Sequence, residues 1–586
     1  MASTMWRRDA REFLHRWGIF GVMLAFLILA LSYSVVIPLG EAADEVSHIA
    51  YVEYVLAHKR LPPPEGLVLG EAHQAPLYYV VAALATAWIP RDELRVIANP
   101  DFVLNDPQTP NLLLHPRNEG FPYRGTVLAW HSVRLISILF AMVTVGAAWQ
   151  TARTFFPNDF AIPLAGTAFV AFLPSFLSLS SVVNNDNLII MLASLVFLVV
   201  AQNTQRGLDT KRTAILGALL GLAVLAKLNA FALWAFAASS YLLIAFPTRA
   251  WSRLLRQLAL CFAIALAISS PYLVYNWRTY GDPLAWGLYL QVAPLRKTPM
   301  SLTELLGLAE PVLTSFWGRF GGALQLRMPN AIYLVLGIVA CSALAGYILA
   351  MWRGEAALKL RRIFLLMVSL LLLLGAVYLR FVLADLGAGQ ARMLLPGLVP
   401  VGIVLTVGWF VLWQSHRTLA LVTWSGGFFG LALVTFFLIQ SFYALPLIQA
   451  TARADSKPID FQDTIRVVNF QVEKNNVAPG GEIAVQFDWE ALAVPQENYW
   501  LALQLVGADG GVANKDGVPS AGRITTDWWQ PGQMFRSRHV LQIPPDVEAG
   551  AYALTLGLHP YNRWEWLRVG NADTIPLAQI VVSANP

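Results

Sequence analysis

Asp44-Glu45-x-x-His48 places two adjacent carboxylates and an imidazole just behind the first long apolar run of the chain. On a helix, residues three and four apart share a face, so His48 would stand beside both acids. A carboxylate held near a hydroxyl can take its proton, and grouped carboxylates with an imidazole can also hold a cation. Ile49, Tyr51, Val52, Val55 and Leu56 continue the segment until Leu61-Pro62-Pro63 stops it, which predicts an amphipathic surface helix with an acidic start. The competing reading is a solvated first turn, where Asp and Glu merely suit the positive end of a helix.

The elements that must position these groups are set by composition. Of 586 residues, 56% are hydrophobic and only 13% charged, with a mean hydropathy of +0.54. An ordinary soluble domain carries about 25% charged residues, so this is a polytopic membrane protein. The balance of 41 basic against 36 acidic residues carries no nucleic-acid signature. Cys261 and Cys341 both lie in apolar runs, which excludes a disulfide framework or a cysteine metal site.

Basic turns give the orientation. Arg7, Arg8, Arg11 and Arg16 precede the run Gly18–Pro38, which is too long for a signal peptide and reads as a retained first span with a cytoplasmic N-terminus. Arg153, then Arg206 to Arg212, Arg249 to Arg256, Lys359 to Arg362, and His416 with Arg417 mark the later inner turns. About eleven spans satisfy this pattern. Pro76–Ile89 is too short to cross about 30 Å of hydrocarbon and reads as a second surface helix; counting it as a span would invert every later turn.

With that topology, Asp44, Glu45, His48, Glu71, His73, Asp186, Lys227, Arg278, Arg319 and Arg392 all fall on the outer side. Ionisable residues close to lipid tend to mark function. From residue 444 onward the pattern changes to short alternating strands, such as Ile465–Val472 and Glu482–Trp489, between turn signals. Residues 444–586 therefore read as an extracytoplasmic antiparallel β-sandwich, and 1–443 as the membrane domain. Trp489, Trp500, Trp528, Trp529, Trp564 and Trp566 offer either an aromatic sugar-binding face or core packing, and packing is the commoner use.

These motifs resemble those of the GT-C glycosyltransferase superfamily, in particular the protein O-mannosyltransferases (glycosyltransferase family 39) and the aminoarabinose transferases. Asp44-Glu45-x-x-His48 looks like the acidic motif of the first outer loop. Glu71-Ala72-His73-Gln74-Ala75-Pro76-Leu77-Tyr78-Tyr79 resembles the family's His/Gln-Pro-Pro-Leu-Tyr segment, with Ala75 where the first proline is usual. His131-Ser132-Val133-Arg134-Leu135, Asn184-Asn185-Asp186-Asn187, Lys227, Trp277-Arg278 with Tyr280-Gly281-Asp282-Pro283, and Gln390-Ala391-Arg392 recur in place and order. The likeness covers about residues 1–443.

The resemblance implies a polyprenyl-phosphate-linked sugar as donor and inverting transfer to a hydroxyl of a protein, lipid or glycan at the outer face of the cell membrane. It implies Asp44 as base, with Glu45 and His48 orienting it. Lys227 and Arg392 come first for the lipid phosphate, Arg278 and Arg134 next, with Glu71, His73, Asn185 and Asp186 around the substrates. No cofactor is assigned, and a divalent metal is left open: Asp44, Glu45, Glu71 and His73 have suitable atoms but match no closed metal motif. The alternatives are a lipid-linked glycan flippase, which predicts internal repeats that are not evident, and a non-catalytic subunit whose sandwich binds a partner.

Overall fold

The computed structural model describes residues 2–63, 70–92, 96–106, 109–246, 249–352, 357–386, 389–444, 458–561, 563, 565–583. Trp564 and the first residues after 444 lie outside the described residues. The chain divides into two compact units. The first comprises Met1–Ile37, Ala42–Arg91 and Leu128–Leu438; the second comprises Pro38–Glu41, Asp92–Val127 and Ile439–Pro586.

The first unit is helical. Helix α1 (Ala2–Val36) leads to the surface helices α2 (Glu45–His58) and α3 (Leu77–Thr86), and α4 (Gly125–Phe155) returns. Next come α5 (Ala161–Phe172) and α6 (Pro174–Ser180), bent by 59°. Pro174 causes the break: it has no N–H to continue α5, Leu173 goes extended, and the proline opens the next helix. Helices α7 (Asp186–Arg206), α8 (Thr210–Ala226), α9 (Phe231–Ala245) and α10 (Trp251–Tyr280) follow. Short helices α11 (Trp286–Val292), α12 (Leu302–Gly307) and α13 (Ala309–Trp317) and a small hairpin, β3 (Arg319–Phe320) with β4 (Leu326–Arg327), precede α14 (Asn330–Trp352). Helices α15 (Ala357–Ala384), α16 (Leu398–Leu412) and α17 (Arg417–Tyr443) complete the unit apart from the last residues of α17.

Among the described residues nine helices are long and apolar enough to cross a membrane, or ten with the bent pair α5–α6. The expected eleventh span is α8, with 17 residues. It packs tightly on α10, because side chains at Gly217 and Gly221 would meet the carbonyls of Cys261 and Ala265 at 2.5 and 2.8 Å. The chain is a multi-pass membrane protein with a C-terminal strand-rich region, and Pro76–Ile89 holds only the ten-residue α3.

The second unit is a two-layer sandwich. One sheet runs β10 (Gly510–Gly517), β9 (Tyr499–Gly507), β12 (Gly550–Pro560), β13 (Ile575–Val582), β7 (Asn476–Val477); the other runs β11 (Met534–Gln542), β8 (Glu482–Ala491), β6 (Ile465–Val472), β5 (Ile459–Phe461). Period-two alternation sends Phe487, Trp489, Leu503, Leu505, Leu554, Leu556 and Leu541 inward. Trp489 and Trp529 are wholly buried in that core, Trp528 donates to the His115 carbonyl, and Trp500 packs on Tyr561. They form no common face.

This unit also takes in the hairpin β1 (Ile97–Ala98) and β2 (Leu113–Leu114) from the segment before α4. Asp101 accepts from Val518 N and pairs with Lys515 at 3.2 Å, while Asn111 donates to the carbonyls of Gly522 and Arg523. After β2, His115 is flanked by Glu119 at 2.8 Å and Glu41 at 3.1 Å. Burial alone would lower its pKa, but the two carboxylates outweigh that and hold it at about 9. A histidine raised above its ordinary 6.5 contributes stability that is full below that pH and fades as pH rises through about 9. The melting temperature should therefore fall more steeply across this window in the native protein than in His115→Gln; equal slopes would remove the cluster from the stability of the unit.

Candidate active site

The site begins from a buried ion pair. Glu45 and Arg134 both have fully buried side chains, and Arg134 binds the Glu45 carboxylate with Nε at 2.8 Å and Nη2 at 2.7 Å. Trp130, one turn earlier on α4, donates to the same carboxylate at 3.1 Å, and Val183 N donates at 2.9 Å. Arg134 Nη1 reaches the carbonyls of Ser34 and Ile37 at the end of α1. One carboxylate thus ties α1, α2, α4 and the turn before α7. Glu45 and Arg134 hold the scaffold, and neither faces the site as a substrate group.

Asp44, one residue earlier, points the other way. Its backbone is left-handed (φ 63°) and its side chain makes no capping bond to α2. Its carboxylate, 41% exposed, pairs with Arg392. The Arg392 guanidinium also lies 3.9 Å from Asp186, which is bound by Lys227 Nζ at 2.5 Å. Two carboxylates and two cations therefore alternate, Asp44–Arg392–Asp186–Lys227. Arg392 holds the Asp44 carboxyl down at about 2, against the effect of burial.

Beside this row lies a set of uncharged groups. His48 Nδ1 bonds the Tyr79 hydroxyl at 2.8 Å, and the Tyr79 ring stacks on Tyr51 at 3.8 Å. Burial pushes His48 down to about 3 and His73 to about 4, and burial with the nearby Asp44 charge pushes Glu71 up to about 8. At neutral pH Glu71 is therefore a protonated acid and both imidazoles are neutral. Glu71 Oε2, His73 Nδ1, Asn185 Oδ1 and Asp186 Oδ2 are buried without a hydrogen-bond partner. Buried polar atoms left unsatisfied by the chain and gathered in one place mark a candidate site.

Asp44, Glu71, His73, Lys227 and Arg392 line a cavity of about 440 Å³ together with Trp286, Tyr289 and Asp385; His48, Asn185 and Asp186 stand behind its wall. A smaller cavity, sharing Ala43, Gln390 and Arg392, is lined by Ser175, Ser178, Asn184 and Arg319. Asn185 is fully buried and donates to Gln74 Oε1 at 3.1 Å, so its amide braces the loop. Arg278 is exposed in the last turn of α10, outside the cavity lining. Of the atoms able to bind a metal, those of Asp44, His48 and Glu71 lie within 4.8 Å of one another. Two carboxylates and an imidazole suit a divalent cation. Glu45 and His73 are not in that group; Glu45 is spent on Arg134.

Sequence reasoning missed Tyr289, which bonds Asp385 at 2.5 Å and meets the His73 ring edge-on. The signal available was an aromatic pair, Trp286 and Tyr289, directly after the Gly281-Asp282-Pro283 turn.

Residues 129–275 match the family model described as dolichyl-phosphate-mannose-protein mannosyltransferase. The match lies within the helical first unit of the chain. The matched segment holds Arg134, Asn185, Asp186 and Lys227 but neither Asp44 nor Arg392. No curated protein matches the chain. Among solved structures it is similar to ArnT from Cupriavidus metallidurans in the apo state (15% identity, TM-score 0.34, covering 68% of this chain and 77% of that one). ArnT bound to undecaprenyl phosphate gives the same identity and score, with 78% of that chain covered. The archaeal oligosaccharyltransferase AglB from Archaeoglobus fulgidus, in complex with an inhibitory peptide and a dolichol-phosphate, gives 11% identity and a TM-score of 0.38, covering 73% of this chain and 56% of that one.

Breaking a buried ion pair by removing one partner leaves an uncompensated charge and costs about 3–5 kcal/mol. Glu45→Gln and Arg134→Met should therefore each lower the yield of monodisperse protein and the melting temperature, in contrast to substitutions at Asp44. Stability equal to wild type in both would show that the pair is not the anchor.

Proposed function

We propose that this chain is an integral membrane glycosyltransferase of the GT-C type that moves a sugar from a polyprenyl-phosphate donor to an acceptor hydroxyl at the outer face of the cell membrane. Residues 1–443 perform the transfer, and 444–586 form an extracytoplasmic sandwich. The observation that carries this reading is the row Asp44–Arg392–Asp186–Lys227, of which Asp44, Arg392 and Lys227 line one cavity: a carboxylate able to act as base stands beside two cations able to take a phosphate.

The donor phosphate competes with Asp44 and Asp186 for Arg392 and Lys227. Charge-assisted contacts to phosphate are among the strong hydrogen bonds, so the cations transfer and Asp44 is released toward the acceptor. Asp44 then takes the acceptor proton as the acceptor oxygen attacks C1 of the sugar. The C1–O bond to the phosphate breaks, and the charge growing on the departing lipid phosphate is stabilised by Lys227 and Arg392. A single displacement inverts the anomeric centre. Glu71, neutral and unpaired at Oε2, supplies a hydrogen bond inside the cavity. Asp44, His48 and Glu71 would hold a divalent cation, which when bound adds positive charge there. The acceptor is a hydroxyl of protein, lipid or glycan.

The test uses purified protein in liposomes with a polyprenyl-phosphate sugar. Asp44→Asn keeps the size of the side chain and removes its basicity, so turnover should fall by roughly 10²–10⁴-fold without any rise in donor KM. Lys227→Ala loses a charged contact worth about 1.5–3 kcal/mol and should raise donor KM instead. Wild-type turnover in Asp44→Asn would make Asp44 a helix-start residue and no more.

A further inference from the structure

Within the first unit, α14 packs on α16 at backbone distance: a side chain at Gly408 would meet the Ala343 carbonyl at 1.7 Å. Helix α17 leans instead on α1 and α5. Tyr33 donates to the Ala432 carbonyl at 2.7 Å, and Phe169 meets Phe428 edge-on at 4.8 Å. Between α14 and α17 a groove of about 450 Å³ stays open, walled by Ile332, Val335, Val339, Trp424, Gly427 and Phe428. Its lining reaches from Ala331 to Val339 on α14, so it runs about 12 Å along the span. Among the described residues no charged side chain lines it.

The place where the groove begins identifies its occupant. Tyr333, next to Ile332 in the first turn of α14, donates to the Gly318 carbonyl at 2.6 Å, and Gly318 precedes Arg319. On α17, the Phe428 ring stacks on Trp317 at 6.4 Å, two residues before Arg319. Both walls are therefore tied to the segment that carries Arg319 into the small cavity, which Arg392 also lines. A molecule with its anion at Arg392 and a long apolar tail has a channel for that tail here.

We propose that the groove between α14 and α17 holds the isoprenoid tail of the donor. This rests on the reading of the chain as a polyprenyl-phosphate transferase. Inside a bilayer the surrounding lipid is as apolar as the groove, so no hydrophobic gain selects one chain over another. The donor's tail is favoured because its phosphate is already held near the mouth, which makes the second contact intramolecular. An untethered acyl chain lacks that advantage. Gly427 keeps the wall clear: a side-chain carbon placed there meets nothing within 4 Å.

Gly427→Phe tests this, because its ring enters the groove from that open position. Transfer is measured in liposomes with a long-chain polyprenyl-phosphate sugar and with a donor truncated to a single isoprene unit. Partition into the bilayer belongs to the donor, so it cancels when one donor is compared between two proteins. In Gly427→Phe the KM for the long-chain donor should rise roughly tenfold, because the second of two linked contacts is lost. The KM for the truncated donor should stay at the wild-type value, and so should kcat for both. Gly426→Phe, exposed on the same helix outside the groove lining, should leave every parameter unchanged. An equal rise for both donors in Gly427→Phe means a general defect and overturns the proposal. No rise for either donor also overturns it, assigns the groove to ordinary lipid, and leaves the transfer reading standing. A wild-type protein that transfers from neither donor overturns that reading, and the groove assignment with it. Should Gly427→Phe not fold, Val335→Trp fills the groove from α14, where Val335 is 57% exposed, and carries the same comparison.

Discussion

The buried pair of Glu45 and Arg134 is the constraint on which the rest of the site depends. Two ions removed from water are tolerable only when geometry and further hydrogen bonds are complete, and here every element of the scaffold contributes one. Arg134 caps the carbonyl end of α1, Glu45 opens α2, Trp130 adds a donor from α4, and Val183 N adds one from the turn before α7. The two carboxylates of one motif thereby divide their work. Glu45 faces inward and defines where α2 starts. Asp44, turned out by its left-handed backbone, is left facing the cavity.

The row of alternating charges follows from that placement. Asp186 begins α7 and Lys227 ends α8, so the packing of α8 against its neighbours sets the distance between the two cations and the acids. The row is neutral in sum, and each cation has a carboxylate partner. Uncharged His73 and Glu71 line the same cavity, with His48 buried behind them.

Much of this was legible in the sequence where the signal is local. Apolar runs of bilayer length with basic inner turns locate the spans, and period-two alternation between Pro-Gly and Asp-Gly turns locates the strands. Asp44, Lys227 and Arg392 stood out because ions near lipid are rare. What a sequence does not contain is the direction in which a polar side chain points. Arg134 and Asn185 have the same polarity as substrate ligands, yet one is locked on Glu45 and the other on Gln74. Arg278, of equal charge, is in the open. Glu41 and the association of residues 92–127 with strands some four hundred residues later depend on long-range contacts, such as Asp101 with Lys515, that no local pattern encodes.

The central claim is that Asp44 and the lipid phosphate compete for Arg392. It is tested most directly by equilibrium binding of a polyprenyl phosphate, without sugar, to the wild type and to Asp44→Asn. Removing the carboxylate frees the guanidinium and takes a negative charge from beside the phosphate, so the variant should bind more tightly even as it loses turnover. Weaker or unchanged binding in Asp44→Asn would contradict the account.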